Sequence, residues 1–129
     1  MPPKDPLFID EEAGWRAHHY AVEFNHGDVG GAVAVTVPTD GTDPTTYQSI
    51  NQRGRVTANI TDFNIVDGAR AANGMELNYV FAHDGTDRTI TLNGAIADAT
   101  GGAGGTTTQA SPQLVMHFVR VEGVWTRFA

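Results

Sequence analysis

Histidine is the side chain best suited to proton transfer near neutral pH, and the chain has five. His83 falls in phase with Met75, Leu77, Tyr79 and Phe81 at alternate positions of an expected strand. His117 is in phase with Val115, Val119 and Val121 on another. Each is a candidate acid or base lining a pocket, and each has a plainer reading as a hydrogen-bonded histidine of a sheet. His18, His19 and His26 raise the question of a metal. On a helix His19 and His26 stand two turns apart, too far to share an ion without a further ligand, so no metal is expected. Asp62 sits where a bulge would aim it inward, or where it would only stabilise a turn. The Gly-rich stretch 101–105 lacks a lysine and leads into no helix, so it is no phosphate loop, and no cofactor is implied.

The elements that would position these groups divide into two halves. Residues 1–9 are Pro-rich and read as an extended arm ahead of a single domain over 10–129. Asp10 can cap a helix running to His26, with Glu11 and Glu12 in its first turn. Ala13, Ala17, Tyr20, Ala21 and Phe24 form its apolar stripe, while Trp15, His19, Val22 and His26 lie nearly opposite. Gly27 suits the C-cap and Asp28 the N-cap of a short second helix over about 29–36. The pair Gly30-Gly31 and the β-branched run AVAVTV speak instead for a strand there. Residues 38–46 read as loop, and 45–52 can hold one helical turn.

From Arg55 the period is two. Val56, Ala58 and Ile60 alternate, then Phe63 and Ile65 in the opposite phase, which places a bulge near Thr61-Asp62. Asn73-Gly74 and Asp84-Gly85 are turn signals. Residues 100–112 read as flexible loop. Residues 114–121 are apolar on both faces, as in a central strand, and Gly123 turns the chain into a last strand at 124–128. Helices followed by an antiparallel meander predict an α+β domain.

With 129 residues the chain suffices for one core. A net charge of −7, one lysine at Lys4 and scattered arginines exclude a phosphate-tracking surface, so neither nucleic acid nor an anionic membrane is expected as a partner. No apolar run approaches the roughly 20 residues of a membrane span. The opening MPPKDPLFIDEE is no signal peptide, which slightly favours the cytoplasm while leaving the compartment open. Without cysteine there is no disulfide or thiolate chemistry.

The segments YAVEFNHGDVGGAVAV at 20–35 and HFVRVEGVWTRF at 117–128 together resemble the NTF2-like superfamily, whose helices lie on a curved antiparallel sheet to form a cone with a pocket. HYAVEFNHGDVGGAVAV at 19–35 resembles the start of ketosteroid isomerases and the related SnoaL-like proteins. The resemblance implies that Tyr20 donates to a developing oxyanion. It makes Asp43, followed by Pro44, the general base, if one loop residue is deleted. Met116 stands where that family has a protonated aspartate, with His117 beside it, and the third helix is nearly absent. It implies a pocket lined by Trp15, Phe24, Tyr79, Phe81, Met116 and Phe118, with His83 and His117 as further acid/base groups.

Such a site would carry an isomerase, cyclase or dehydratase acting on a small apolar carbonyl compound. A carboxylate must reach a proton next to a carbonyl, and a donor must meet the oxygen where charge develops. Whether the chain is an enzyme stays open. The alternatives are a non-catalytic ligand-binding or interaction domain, dimeric through the outer sheet face, and a subunit of a larger assembly such as a virion or a secretion machine.

Overall fold

The alternation Ala32-Val33-Ala34-Val35-Thr36-Val37 puts three valines on one side and small residues on the other, the pattern of a half-buried strand. The computed structural model describes residues 22–37, 49–110 and 113–129. In it this stretch is the second half of β1 (Val22–Val37); its valines are buried and Ala32, Ala34 and Thr36 are exposed. Seven strands follow: β2 (Ser49–Asp67), β3 (Glu76–His83), β4 (Arg88–Leu92), β5 (Ala97–Asp98), β6 (Thr106–Gln109), β7 (Gln113–Val121) and β8 (Val124–Arg127).

The long strands stack in parallel. β1 pairs with β2, the first half of β2 pairs with β3, and its second half with β4. Parallel neighbours need a long crossover. Here the crossover begins with the other half of the same coil, giving a β-solenoid-like arrangement with a first leg (22–26, 49–56, 76–83) and a second leg (32–37, 60–67, 88–92). The coils bend between the legs. In β1 the register slips at the bend, where Gly27 and Gly31 take φ of 73° and 65°. In β2 Gly31 lies opposite Ile60 and Ala32 opposite Asp62, so Thr61 is the extra residue of a bulge. The third coil bends through the turn from His83 to Arg88.

The core fills the space between the legs. Stacked columns such as Ile50, Leu77 and Phe118, or Phe24, Gln52, Tyr79 and Met116, run across the first leg. Phe63, from the second leg, meets Tyr79, Phe81 and Phe118 with ring centroids 4.9, 5.2 and 5.9 Å apart. At Gly54 an added Cβ would lie 2.6 Å from the Tyr79 hydroxyl and 2.9 Å from the Val29 methyls, so only glycine allows this approach. Gln52, the amide side chain of these columns, is satisfied. It accepts from His26 Nε2 at 2.7 Å and donates to the Thr36 carbonyl at 3.0 Å.

One end of the stack is closed by antiparallel strands. β7 covers β3, β8 covers β7, and β6 covers β4. The outermost strands there, β5 and β6, have two and four residues. At the opposite end lies β1, paired only with β2 among the described residues.

This architecture corrects the α+β expectation. The described residues contain no helix, so Val22–Val37 is a strand where the end of a first helix and a second helix over 29–36 were expected. Residues 49–52 likewise belong to β2 and not to a helical turn. The NTF2-like cone, and with it the ketosteroid-isomerase-like and SnoaL-like resemblance, is overturned, because that fold needs helices against an antiparallel sheet and this one stacks parallel coils. Asn73-Gly74 does turn the chain, but between parallel strands and not as a hairpin. The loop expected at 100–112 contains β6. The arm at 1–9, the helix over 10–21 and the loop at 38–46 lie outside the described residues.

Candidate functional site

The residues expected to do chemistry are distributed by the alternation of the strands. Trp15, Tyr20 and Asp43 lie outside the described residues. Tyr79, Phe81, Met116 and Phe118 do come together, but as a packed core, each fully buried. Phe24 sits on β1 and is 42% exposed.

His83 continues the core-facing row of β3, whereas His117 pairs with Asn78 on the opposite face of the sheet. The two imidazoles therefore cannot act on one substrate. Both nitrogens of His83 are engaged. Nδ1 accepts from the Gly85 amide at 3.0 Å, so Nε2 carries the proton and donates to Asp87 at 2.8 Å. A general base needs a nitrogen within reach of the substrate. His117 donates from Nε2 to Glu76 at 3.0 Å. His26 holds Gln52, and Asp62 accepts from the Asn93 amide at 2.8 Å, tying a surface turn to the bulge. Among the described residues no three histidine or acidic side chains gather to hold a metal.

The Tyr79 hydroxyl is buried without a hydrogen-bond partner among the described residues, and burial raises its pKa well above the usual phenol value. The folded chain thus keeps a proton that the unfolded chain releases above pH ~10. Stability is intact below that pH and falls as pH rises beyond it. Tyr79→Phe is expected to remove this alkaline loss and, at neutral pH, to leave stability unchanged or raise it by up to about 1 kcal/mol. Urea denaturation at pH 7 and pH 10.5 checks both.

A cleft of about 250 Å³ runs between Asn64, Asp67, Ile96, Val124 and Trp125. Ligand pockets run to roughly 300–1,000 Å³, so it is small for a steroid-sized ligand. Its polar wall is occupied. Arg120 donates to both oxygens of Asp67, at 3.1 and 2.9 Å, and Trp125 Nε1 donates to the same carboxylate at 2.8 Å. Asn73 accepts from Arg120 and from the Gly123 amide, both at 2.8 Å. These groups fasten the terminal hairpin to the coils. Only Gly123, read as the turn into the last strand, pointed to them in the sequence. A second groove of about 350 Å³ lies between the 98–104 turn and Arg127, and there the Asp98 carboxylate is taken up by its own turn, by Thr100 and the Gly102 amide.

This end also leaves apolar side chains exposed. β7 and β8 join through Glu122 and Gly123, with φ of 49° and 82°, the paired positive values of a tight hairpin turn. Along this hairpin Val115 is 52% exposed, Phe128 50%, and Val121 and Val124 42% each. Val121 and Val124 are direct partners, and Phe128 donates its amide to the His117 carbonyl, so by strand alternation the four residues share the outer face of the hairpin, a stripe with His117, Val119 and Thr126 between them. Contiguous exposed apolar surface marks an interaction site more than scattered residues do.

Comparison with known proteins finds no matching family model, no similar curated protein and no similar solved structure.

Proposed function

We propose that the chain is a non-catalytic structural domain. It is a subunit that builds a larger protein assembly, of the virion or secretion-machine kind, by burying the stripe on β7 and β8 against a protein neighbour. The observation that carries this reading is where the exposed apolar residues sit. Of the six large ones among the described residues, Val115, Val121, Val124 and Phe128 lie on this one hairpin. Two further features support it. Of the aromatic residues that would line a pocket, Tyr79, Phe81 and Phe118 are filling of the core. A solenoid of stacked coils is also a stiff scaffold that presents long surfaces.

A double substitution, Val115→Glu with Val124→Glu, tests this. Both side chains point to solvent, so folding should survive with changes of about 0.5 kcal/mol. The wild-type chain is expected to associate in sedimentation velocity, or, where dilution keeps it monomeric, to bind anilinonaphthalene sulfonate. The double variant should do neither. A wild-type monomer that binds no dye and matches the variant would contradict the reading.

A further inference from the structure

Free strand edges in natural proteins are guarded by lysine, proline, bulges or shortness. The closing end of this stack follows that rule, with edge strands of two and four residues. The β1 edge does not. Its register slips end at Ala32, and from there to Val37 it pairs regularly with Asp62–Asp67 of β2. This stretch, AVAVTV, carries no charge and no proline. Among the described residues nothing pairs with its other side. Phe24, which heads the core column of Gln52, Tyr79 and Met116, is left 42% exposed at this same end.

We infer that the β1 edge is a self-association site, pairing antiparallel with β1 of a second copy across a two-fold axis. This goes beyond the β7–β8 stripe and shares with it only the premise that the chain is an assembly subunit. Three observations favour a second copy. Pairing centred on Ala34 sets Val33 against the partner copy's equivalent of Val35 on the core face, and Ala32 against that of Thr36 outside, because opposed antiparallel residues share a face. Residues 29–37 contain no ionisable side chain, so two chains of net charge −7 meet there without like charges in the seam. Among the described residues head-to-tail stacking has no receiving edge, since the far end offers only the short β5 and β6 there. Like therefore pairs with like, and the interface closes on itself. The Thr36 carbonyl, already bonded to Gln52, has a second lone pair for the partner.

The test is a charge swap at Ala34, whose side chain faces solvent. Wild type, Ala34→Lys, Ala34→Glu and an equal mixture of the two variants are compared by sedimentation velocity, with hydrogen exchange of the 32–36 amides. Val124→Glu serves as the control for the stripe. The wild type should dimerise with slow exchange at 32–36. Each variant alone should dimerise about tenfold more weakly, because like charges oppose across the axis. The mixture should recover wild-type behaviour. A wild-type monomer with protected 32–36 amides would overturn the self-association, since its own chain then covers the edge. So would a mass that ignores both Ala34 variants and falls only in Val124→Glu. That result would leave the stripe, and the reading of an assembly subunit, standing.

Discussion

Phe63→Ala is expected to destabilise the fold by about 3–5 kcal/mol, the range for emptying a fully buried aromatic site. Phe63 is the ring of the second leg that touches two rings of the first, Tyr79 and Phe81, and Phe118 of the covering strand β7. Removing it leaves a void between the legs, and each lost aromatic pair adds about 0.5–1.5 kcal/mol beyond burial. Domains of this kind are stable by only about 5–15 kcal/mol, so the loss is a large share of the total and brings a domain at the low end of that range to its unfolding midpoint. Urea denaturation measures the loss. A cost below about 1 kcal/mol would mean that the site is an open cavity and not a core.

Asp67→Ala is expected to cost about 2 kcal/mol, because it strands Arg120 and the Trp125 indole together. The same carboxylate gives the fold an acid limit. The Arg120 guanidinium holds it below the usual carboxylate range. Burial opposes this, and the Trp125 indole adds to the lowering. A depressed folded value means stability present above the unfolded pKa of about 4 and lost as pH falls below it. In thermal melts Asp67→Ala should show a shallower slope than wild type between about pH 4 and pH 2.5, with Asp84 and Asp98, also held below the usual carboxylate range by their hydrogen bonds to Arg88 and Thr100, keeping the remainder. Because the terminal hairpin is what Asp67 fastens, hydrogen exchange in the variant should rise first across 113–127. Uniform exchange across the coils would argue against that role.

The strand half of the chain was legible in its sequence. Met75, Leu77, Tyr79 and Phe81 are buried as their alternation requires, and the phase slip at Thr61-Asp62 is a bulge. The first half misled for a physical reason. Val22 and His26 are four apart, a spacing that fits one helix face and, equally, one strand face. At 29–36 the β-branched run and the paired glycines favoured a strand, but the family resemblance outweighed them. The coil repeat left no trace as a sequence repeat, because bulges at 25–32 and at Thr61 vary the spacing between stacked residues. Parallel pairing is not a local property either. The hairpin signals at 73–74 and 84–85 could mark turns without saying which strands meet.

For the site, His83 and His117 were placed on their strands correctly, but the sheet puts them on opposite faces, with Asp87 and Glu76 as partners. Asp87 reaches His83 within one local turn, four residues on, whereas Glu76 is brought near His117 only by the pairing of β3 with β7. The apolar character of both faces of 114–121 was visible, and the outer half of it is the stripe proposed as an interface.

The fold is a filled core between two parallel-stacked legs. Ring-to-ring nuclear Overhauser contacts on labelled protein test it most directly. It predicts contacts from Phe63 to Tyr79, Phe81 and Phe118, with slowly exchanging amides over 60–65 and no helical contact pattern over 22–37. Helical contacts across 22–37, with Phe63 remote from Phe118 across a solvent-filled cavity, would contradict it.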